Sequence, residues 1–436
     1  MSEVTNIENT LLSNFNTWLE EHFPQNSGLK KLKLEQSERF VNLGIPARKS
    51  EAYKYTNIQR ILSKNFDFSV ANEAPAWTKA ECHGQFYDVD ANHLVFINGQ
   101  FVEDYSKISS SSSELIIRLL DDKTFEEHTE VKDLLGKTRN IDQDAFASLN
   151  LSYFNQGLYL NVPKNADSRD VYVYHFVDAE AAQAVIFPLI LVQSETGSRL
   201  KIYEKTFTKG ENNILSINLF EAKVLDNAEL RYSKLQNQVN NYYTIDGIYA
   251  SQHKDSRFYT NTFSFKAGAI RNNIYINIEG QNSEAHMNGL YQIAGTTHVD
   301  NNTSVDHLVP NCFSNELYKG IVDENARGVF NGKIYVRPDA QKTNAFQSNN
   351  NILLTDTATV NTKPQLEIWA DDVKCSHGCT TGQLDEEAIF YLRSRGVGKK
   401  EAKAMLLNAF AKEALAELKS DLLKEEIENI ILNKLS

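Results

Sequence analysis

The sequence predicts a mainly β protein whose strand-rich core is flanked by helical regions at both ends. Apolar residues near the N-terminus recur with helical spacing, the middle of the chain consists of short β-branched and aromatic runs, and the C-terminus carries helix-capping signals. We divide the chain into an N-terminal helical and mixed α/β region (1–145), a β core (146–382) and a C-terminal helical region (383–436).

The N-terminal region opens with an amphipathic helix pattern. Its apolar residues lie four, four and three positions apart, as on one face of a helix: Ile7, Leu11, Phe15 and Trp18. A short strand is expected at 93–97. The serine run at 109–113 predicts a loop, because serines neither bury apolar area nor keep a periodic pattern.

From about Phe146 the chain has the pattern of strands, and no helix-length pattern interrupts the β core. The runs are residues 171–177, 185–192, 200–206, 214–220, 242–249, 258–265, 274–278, 289–293, 329–336 and 365–369. A region of this length and texture predicts a sandwich, barrel, propeller or β-solenoid.

Asparagine bears on the choice among these architectures. Residues 237–361 contain 20 Asn, some of them clustered at 272–273, 301–302 and 349–351. Because Asn tolerates the left-handed conformation and bonds its own backbone, it suits corners that repeat many times, as in stacked β-helix rungs. An Asn-rich set of hairpin loops explains the same composition, so the residues alone leave a solenoid and a sandwich open.

The C-terminal region carries signals for three helices. Asp385 is expected to cap the first, which ends at Gly396 with Arg393 and Arg395 in its last turn. The other two have apolar stripes, formed by Ala402, Met405, Leu406 and Ala409 in the second helix and by Leu423, Ile427, Ile430 and Ile431 in the third.

Composition excludes several classes of function. With 45 Lys and Arg against 57 Asp and Glu, the net charge is −12, and no basic stripe for nucleic acid or an anionic membrane is present. The longest apolar stretch, 184–192, has nine residues and contains Pro188, so we expect no membrane span. Four cysteines and the lack of a signal-peptide pattern after Met1 predict a reducing, cytoplasmic location.

The sharpest chemical motif is Cys-x-His-x-Cys at 375–379. In an extended chain Cys375, His377 and Cys379 point to one face, and thiolate and imidazole are suitable ligands for soft metals and iron–sulfur clusters. At ~3.3 Å per residue Cys375 and His377 are close enough to share a metal, whereas Cys379 is too distant unless Gly378 bends the chain. The motif predicts an incomplete metal site that a partner completes, or else small buried thiols.

Other candidate sites are weaker. Residues 396–400 match a phosphate-binding loop only in part, and the motifs of zinc proteases, α/β-hydrolases, dinucleotide-binding enzymes and calcium sensors are missing from the sequence. Irregularly spaced soft ligands in the β core are expected to be structural: His286, His298, His307 and Cys312.

Two strings at 366–378 (LEIWADDVKCSHG) and 389–397 (IFYLRSRGV) carry a resemblance to a known family. With weaker similarity at 48–56, 93–100, 144–162 and 328–336, the chain resembles the SufB/SufD family of iron–sulfur cluster assembly proteins, and SufD more than SufB. Gly378 is SufD-like, whereas Cys379 stands where the SufD pattern has Ala.

The resemblance implies a right-handed parallel β-helix between the helical regions. It also implies that this β-helix pairs with a SufB-type subunit or a second copy of the chain, and that the C-terminal helices bind a SufC-type ATPase. Cys375 and His377, with Cys379 as a candidate third ligand, would hold a transient iron–sulfur cluster or iron at the subunit interface. The ATPase-binding residues would include Phe390, Tyr391, Arg393, Arg395, Met405 and Phe410.

The favoured hypothesis is a scaffold subunit that is not itself an enzyme. Two alternatives stay open: a polysaccharide-active enzyme on a β-helix, and a stand-alone metal or redox protein that uses Cys375 and Cys379. The enzyme would need clustered acids such as Asp300, Asp306 and Asp323.

Overall fold

Two ten-stranded sheets dominate the computed structural model, which describes residues 15–64, 66, 77–180 and 183–435. From β4 onward successive strands mostly alternate between the sheets, and the strand neighbours within each sheet are parallel. A sandwich would pair antiparallel strands, so this winding path is that of a parallel β-solenoid and confirms the predicted fold class.

Sheet A comprises, in spatial order, β2 (Gln100–Phe101), β1 (Asn92–Ile97), β5 (Val171–Asp178), β8 (Arg199–Lys209), β10 (Glu229–Asn237), β12 (Arg257–Lys266), β14 (Glu284–Ile293), β16 (Phe313–Val322), β18 (Asn344–Leu353) and β20 (Lys374–Gly382). Sheet B comprises β19 (Thr359–Ile368), β17 (Arg327–Val336), β15 (His298–His307), β13 (Ala269–Ile278), β11 (Tyr242–Gln252), β9 (Ile214–Val224), β7 (Leu189–Ser194), β4 (Gly157–Val162) and β3 (Ile116–Leu120), with β6 (Ala184–Ile186) beside β9. The antiparallel pairs are β1–β2 and β3–β4, at the start of the solenoid.

The α-helices lie before and after the solenoid. They are α1 (15–22), α2 (Gly28–Leu43), α3 (Ile58–Leu62), α4 (Lys79–His83), α5 (Asp122–Glu127), α6 (Thr129–Leu134), α7 (Ala145–Tyr153), α8 (Glu386–Ser394), α9 (Lys399–Lys412) and α10 (Asp421–Leu435). Phe15 and Trp18 are buried on α1, whereas the predicted stripe residues Ile7 and Leu11 lie outside the described residues. Across the described ranges, each helix is too short or too polar to cross a bilayer.

The N-terminal helices pack on the outer face of sheet B. Apolar side chains of α2 and α7 share one core with Leu215, Ile217 and Ile245 of that sheet. Helix α7 is a departure from the strand pattern read from Phe146 onward. It is buried on all sides, so its sequence shows no 3.6-residue periodicity, and its start is set locally by Asp144, whose carboxylate accepts from the Phe146 amide at 2.7 Å.

The C-terminal helices pack on the outer face of sheet A. Leu407 of α9 and Leu423 and Ile427 of α10 share a core with aromatic and aliphatic residues of sheet A. The Asp385 cap is confirmed, since its carboxylate accepts from the Glu387 and Ala388 amides. The stripe predicted for α10 is likewise confirmed in its buried residues.

The stripe predicted for α9 is wrong in part. The buried residues of α9 are Ala402, Leu407 and Ala411, whereas Met405 is 52% exposed and Ala409 is also exposed. Sheet A contacts the side of the helix marked by Leu407 and Ala411. Periodicity identified a helix here, but it did not identify the side that is covered.

The Asn clusters of the β core lie within strands and not at corners, contrary to the prediction. Inside the solenoid the Asn272 amide donates to Asn301 at 2.8 Å, and on the outer face Asn331 donates to Asn302 at 3.1 Å. Side chains in register on stacked parallel strands lie close together, so identical amides pair from rung to rung. Single Asn residues do occupy left-handed corners, at Asn165, Asn227, Asn282 and Asn311.

A buried ionic cluster lies between the sheets near the middle of the solenoid. Lys234 bonds the carboxylates of Glu204 at 2.7 Å and Asp246 at 2.6 Å, and His175 lies 3.1 Å from Glu204. Burial alone would raise the pKa of Glu204, but Lys234 and His175 outweigh it and hold that pKa well below its usual value. Each charge therefore depends on the others.

Candidate functional site

The candidate site lies on the last rung of the solenoid, formed by β19 and β20. Each of these strands has a hydrogen-bonded neighbour on one side, β17 and β18 respectively, and an unpaired edge on the other side in the described chain. Most residues of β20 are exposed, whereas β18 alternates between buried and accessible residues. The solenoid therefore ends on two open strand edges.

The register of β20 shows which side chains face inward. Cys375, His377 and Cys379 pair with Ala345, Gln347 and Asn349, all buried between the sheets. Because alternate residues of a strand share a face, the three candidate ligands are directed toward the solenoid interior at its open end. The extended conformation predicted for the motif is confirmed.

Cys375 is the most protected of the three residues. Its side chain packs against a small apolar cluster with Ile334, Val336 and Ala345. Burial raises the pKa of the Cys375 thiol, so at neutral pH the thiol form predominates and the nucleophilic thiolate is scarce.

His377 and Cys379 are exposed, and both cysteines of the motif are free thiols. A Cβ placed on Gly378 would meet no atom within 4 Å, and β20 continues as a strand through this glycine to Gly382. The chain is therefore not bent at Gly378. Within the part of the chain that is described, no three His, Cys, Asp or Glu side chains are grouped to hold a metal ion.

The other soft-ligand candidates are far from this rung and have structural partners. His298 bonds Thr56 at 2.8 Å, and His307 bonds Ser314 at 2.9 Å inside the solenoid, where burial lowers the pKa of His307 to about 3. His286 stacks on Tyr259 with ring centroids 4.4 Å apart. The Cys312 thiol is buried and donates to the backbone carbonyls of Gly280 and Pro310.

Two of the acidic candidates are neutralised by arginines. Asp306 accepts two hydrogen bonds from Arg337, at 2.7 and 2.8 Å, and Asp300 is paired with the buried Arg271. These two carboxylates therefore form ion pairs on the outer face of sheet B.

The predicted ATPase-binding residues lie on α8 and α9, except for Arg395, which is the C-cap residue that follows α8. Phe390 is 73% and Tyr391 57% exposed, and Arg393, Arg395 and Met405 are exposed beside them. Phe410 differs from the rest, because it packs against the core under α9, with the Lys319 ammonium 4.4 Å from its ring centroid. The two helices thus carry three exposed apolar side chains and two exposed arginines, whereas Phe410 is partly buried against the core.

The polar side chains beneath His377 were not predicted from the sequence. Gln347 and Glu316 lie under it on the next two strands of sheet A, and Thr303 reaches them from sheet B. Burial raises the pKa of Glu316 to about 7. No sequence signal links these residues, because they come from three successive rungs: Thr303 and Glu316 lie on β15 and β16, Gln347 lies on β18, and His377 lies on β20.

Family comparisons agree with this architecture. The family model described as "SUF system FeS cluster assembly, SufBD core domain" matches residues 176–410, and the model of the SufBD N-terminal region matches residues 6–170. The chain belongs to the SufBD family.

Curated relatives of this SufBD protein share about a quarter of its residues. The chain is 28% identical to the iron–sulfur cluster assembly protein SufD of Escherichia coli, over 93% of each chain. It is 27% identical to an iron–sulfur cluster assembly SufBD family protein of Synechocystis, over 86% of this chain and 84% of the relative. The chloroplastic protein ABCI7 of Arabidopsis thaliana is 26% identical, over 92% and 85% of the two chains.

Proposed function

We propose that this SufBD protein is a scaffold subunit, not an enzyme, that lends Cys375 and His377 as transient ligands to a nascent iron–sulfur cluster or to iron. The observation that carries the proposal is their placement on the last rung, facing inward beside its open edge, with no third ligand grouped with them among the described residues. Such a half-site binds weakly alone and becomes complete when a second surface supplies further ligands. Cys379 lies two residues after His377 on the same face of β20. It would be an additional ligand for a cluster that spans the rung.

The second surface in this proposal is a SufB-type subunit or another copy of the chain. The open edges of β19 and β20 leave backbone donors and acceptors free to pair with a partner strand. Large apolar side chains near this end are also exposed, namely Ile368 at 39%, Trp369 at 49% and Phe346 at 38%. An edge of this kind with an apolar margin is typical of a subunit interface.

The proposed motor is a SufC-type ATPase bound to α8 and α9. Its contact surface would be the exposed Phe390, Tyr391 and Met405, with Arg393 and Arg395 at the margin. Phe410 is assigned a supporting role, because it packs beneath α9. Helices α9 and α10 share a core with sheet A, so a displacement of the docked helices is transmitted directly to the solenoid.

Opening of the interface would change the chemistry of Cys375. In the closed subunit burial raises the pKa of its thiol, which limits thiolate formation. When ATP-driven movement separates the rung from its apolar neighbours, water reaches the sulfur and its pKa falls toward that of an exposed cysteine. The thiol then loses its proton to water and the thiolate binds iron, without any change of oxidation state, and reclosure protects the product from solvent.

Growth under iron limitation tests the cluster-ligand assignment. A strain that carries His377→Ala is expected to grow poorly while its complex assembles normally, because the exposed imidazole contributes little to folding. Ser376→Ala, on the outward face of the same strand, is the matched control and is expected to grow like the wild type. Normal growth of the His377→Ala strain would remove His377 from the proposal.

A pull-down with the cognate ATPase tests the docking surface. Phe390→Ser combined with Met405→Ser is expected to abolish capture, whereas Leu432→Ser, which changes a 44% exposed residue on α10, leaves it intact. Retained binding by the double variant, or by a chain that lacks residues 383–436, would place the dock elsewhere.

A further inference from the structure

A buried polar column lies directly beneath His377. In sheet A, Glu316 on β16 pairs with Gln347 on β18, and Gln347 pairs with His377 on β20. Glu316 is fully buried and Gln347 is 3% exposed. Residues in register on adjacent parallel strands are about 4.8 Å apart, so Gln347 is the inward-facing residue next to His377 on the neighbouring strand.

The orientation of the Gln347 amide is determined by Glu316, its neighbour on β16. Its Nε2 donates to Glu316 Oε2 at 2.9 Å, and the Thr303 hydroxyl donates to the same oxygen at 2.9 Å. Both bonds end on Oε2, and this oxygen accepts whether or not Oε1 carries a proton, so the NH₂ of the amide points toward Glu316. The carbonyl oxygen, Gln347 Oε1, takes no part in these bonds.

Gln347 Oε1 is buried and receives no hydrogen bond from any described residue. An unsatisfied buried acceptor is destabilising, so its retention calls for a donor. Across the interior, Gly332 leaves the space that this amide needs, because a Cβ there would lie 2.3 Å from Gln347 Nε2. Of the side chains in its column, His377 is the one that adjoins Gln347 on the side away from Glu316.

We propose that Gln347 is a positioning residue that accepts a hydrogen bond from one ring N–H of His377 and so presents the other ring nitrogen to iron. This inference rests on the proposed function of His377. A neutral imidazole with one N–H bound has a single tautomer and a fixed ring plane, and its free nitrogen is the metal ligand. Glu316 and Thr303 support the arrangement by orienting the amide.

Nitrogen NMR of the apo chain tests the positioning role without any metal. The full chain is labelled with ¹⁵N-histidine, and the His377 signals are assigned by their loss in His377→Ala. In the wild type, the neutral His377 ring is expected to show one protonated and one unprotonated nitrogen with well-separated shifts. In Gln347→Met, which conserves volume but has no acceptor oxygen, the two signals are expected to move together toward the average of exchanging tautomers.

Further variants separate positioning from general damage to the rung. Glu316→Gln retains a side-chain oxygen that accepts from Gln347 and is expected to preserve the wild-type tautomer, and so is Ser348→Ala on the outward face of β18. Should Gln347→Met fail to fold, Gln347→Asn, whose carbonyl is one methylene shorter, is expected to give the same loss of the fixed tautomer.

An averaged His377 ring in the wild type, or one that Gln347→Met and Gln347→Asn leave unchanged, would overturn the inference. Iron-limited growth distinguishes this failure from failure of the proposed function. If His377→Ala impairs growth while the ring is averaged in the wild type, His377 acts without Gln347. If the tautomer is fixed but His377→Ala grows normally, the hydrogen bond is structural and the positioning role is refuted together with the ligand role.

Discussion

Glu316 is expected to make the protein less stable as the pH rises. Burial between the sheets raises the pKa of this carboxyl from 4.5 to about 7, and its hydrogen bonds from Gln347 and Thr303 offset only part of the effect. Between these two pH values the folded chain holds a proton that the unfolded chain has released. Folding stability contributed by this proton is present at low pH and is lost as the pH rises through about 7.

The magnitude follows from the difference between the two pKa values. A tenfold change in proton affinity is worth about 1.4 kcal/mol, so ionisation of Glu316 in the folded protein costs about 3 kcal/mol relative to the unfolded chain. Glu316→Gln removes the titration but keeps an amide that accepts from Gln347 and Thr303. The variant is therefore expected to match the wild type below about pH 4 and to exceed its unfolding free energy by about 3 kcal/mol at pH 8.

Urea unfolding of both full-length proteins across this pH range measures the difference. Asn315→Ala, next to Glu316 but on the outward face of β16, is the control and is expected to change stability equally at all pH values. A difference between Glu316→Gln and the wild type that stays constant with pH would show that Glu316 does not hold a proton in the folded chain, and the burial argument would be refuted.

Three further predictions follow from the burial of single residues. Lys234→Met leaves the buried carboxylates of Glu204 and Asp246 without their cation. It is expected to lower the unfolding free energy, measured by urea titration, by about 3–5 kcal/mol. An unchanged urea midpoint would contradict the ionic cluster. Cys379 is expected to react faster than Cys375 with a thiol reagent at pH 8 in single-cysteine chains, and equal rates would show that Cys375 is not protected. Phe390→Ser is expected to leave Tm unchanged, whereas a fall of several degrees would reassign Phe390 to the core.

Local signals in the sequence predicted conformation well. The β-branched and aromatic runs at 258–265 and 329–336 are strands, Asp385 caps α8, and the Cys375 motif is extended. These features depend on neighbouring residues, through strand preference, capping bonds and alternation, so they are readable before the chain is folded.

Strands rich in polar residues were not predicted, because the local sequence signals that identify strands depend on apolar and β-branched residues. The β15 and β18 segments are dominated by Asn, Asp, Ser and Gln, which favour turns when isolated. In the solenoid the β15 amides pair with Asn side chains of adjacent rungs, and the β18 amides bond Glu316, Tyr291 and backbone carbonyls, so these polar groups are satisfied although they are buried. A ladder of this kind exists only after residues about 30 positions apart have been brought into register.

The sequence by itself determined the strand-rich core, the helical ends and the family, and it placed Cys375 and His377 on one face of a strand. The tertiary structure decided that this strand closes the solenoid with an open edge and that the Gln347 amide lies under the imidazole. It also decided which side of α9 is covered. The physical reason is that periodicity shows which residues share one face of a strand or helix. What packs against that face depends on the stacking of segments that are far apart in the sequence.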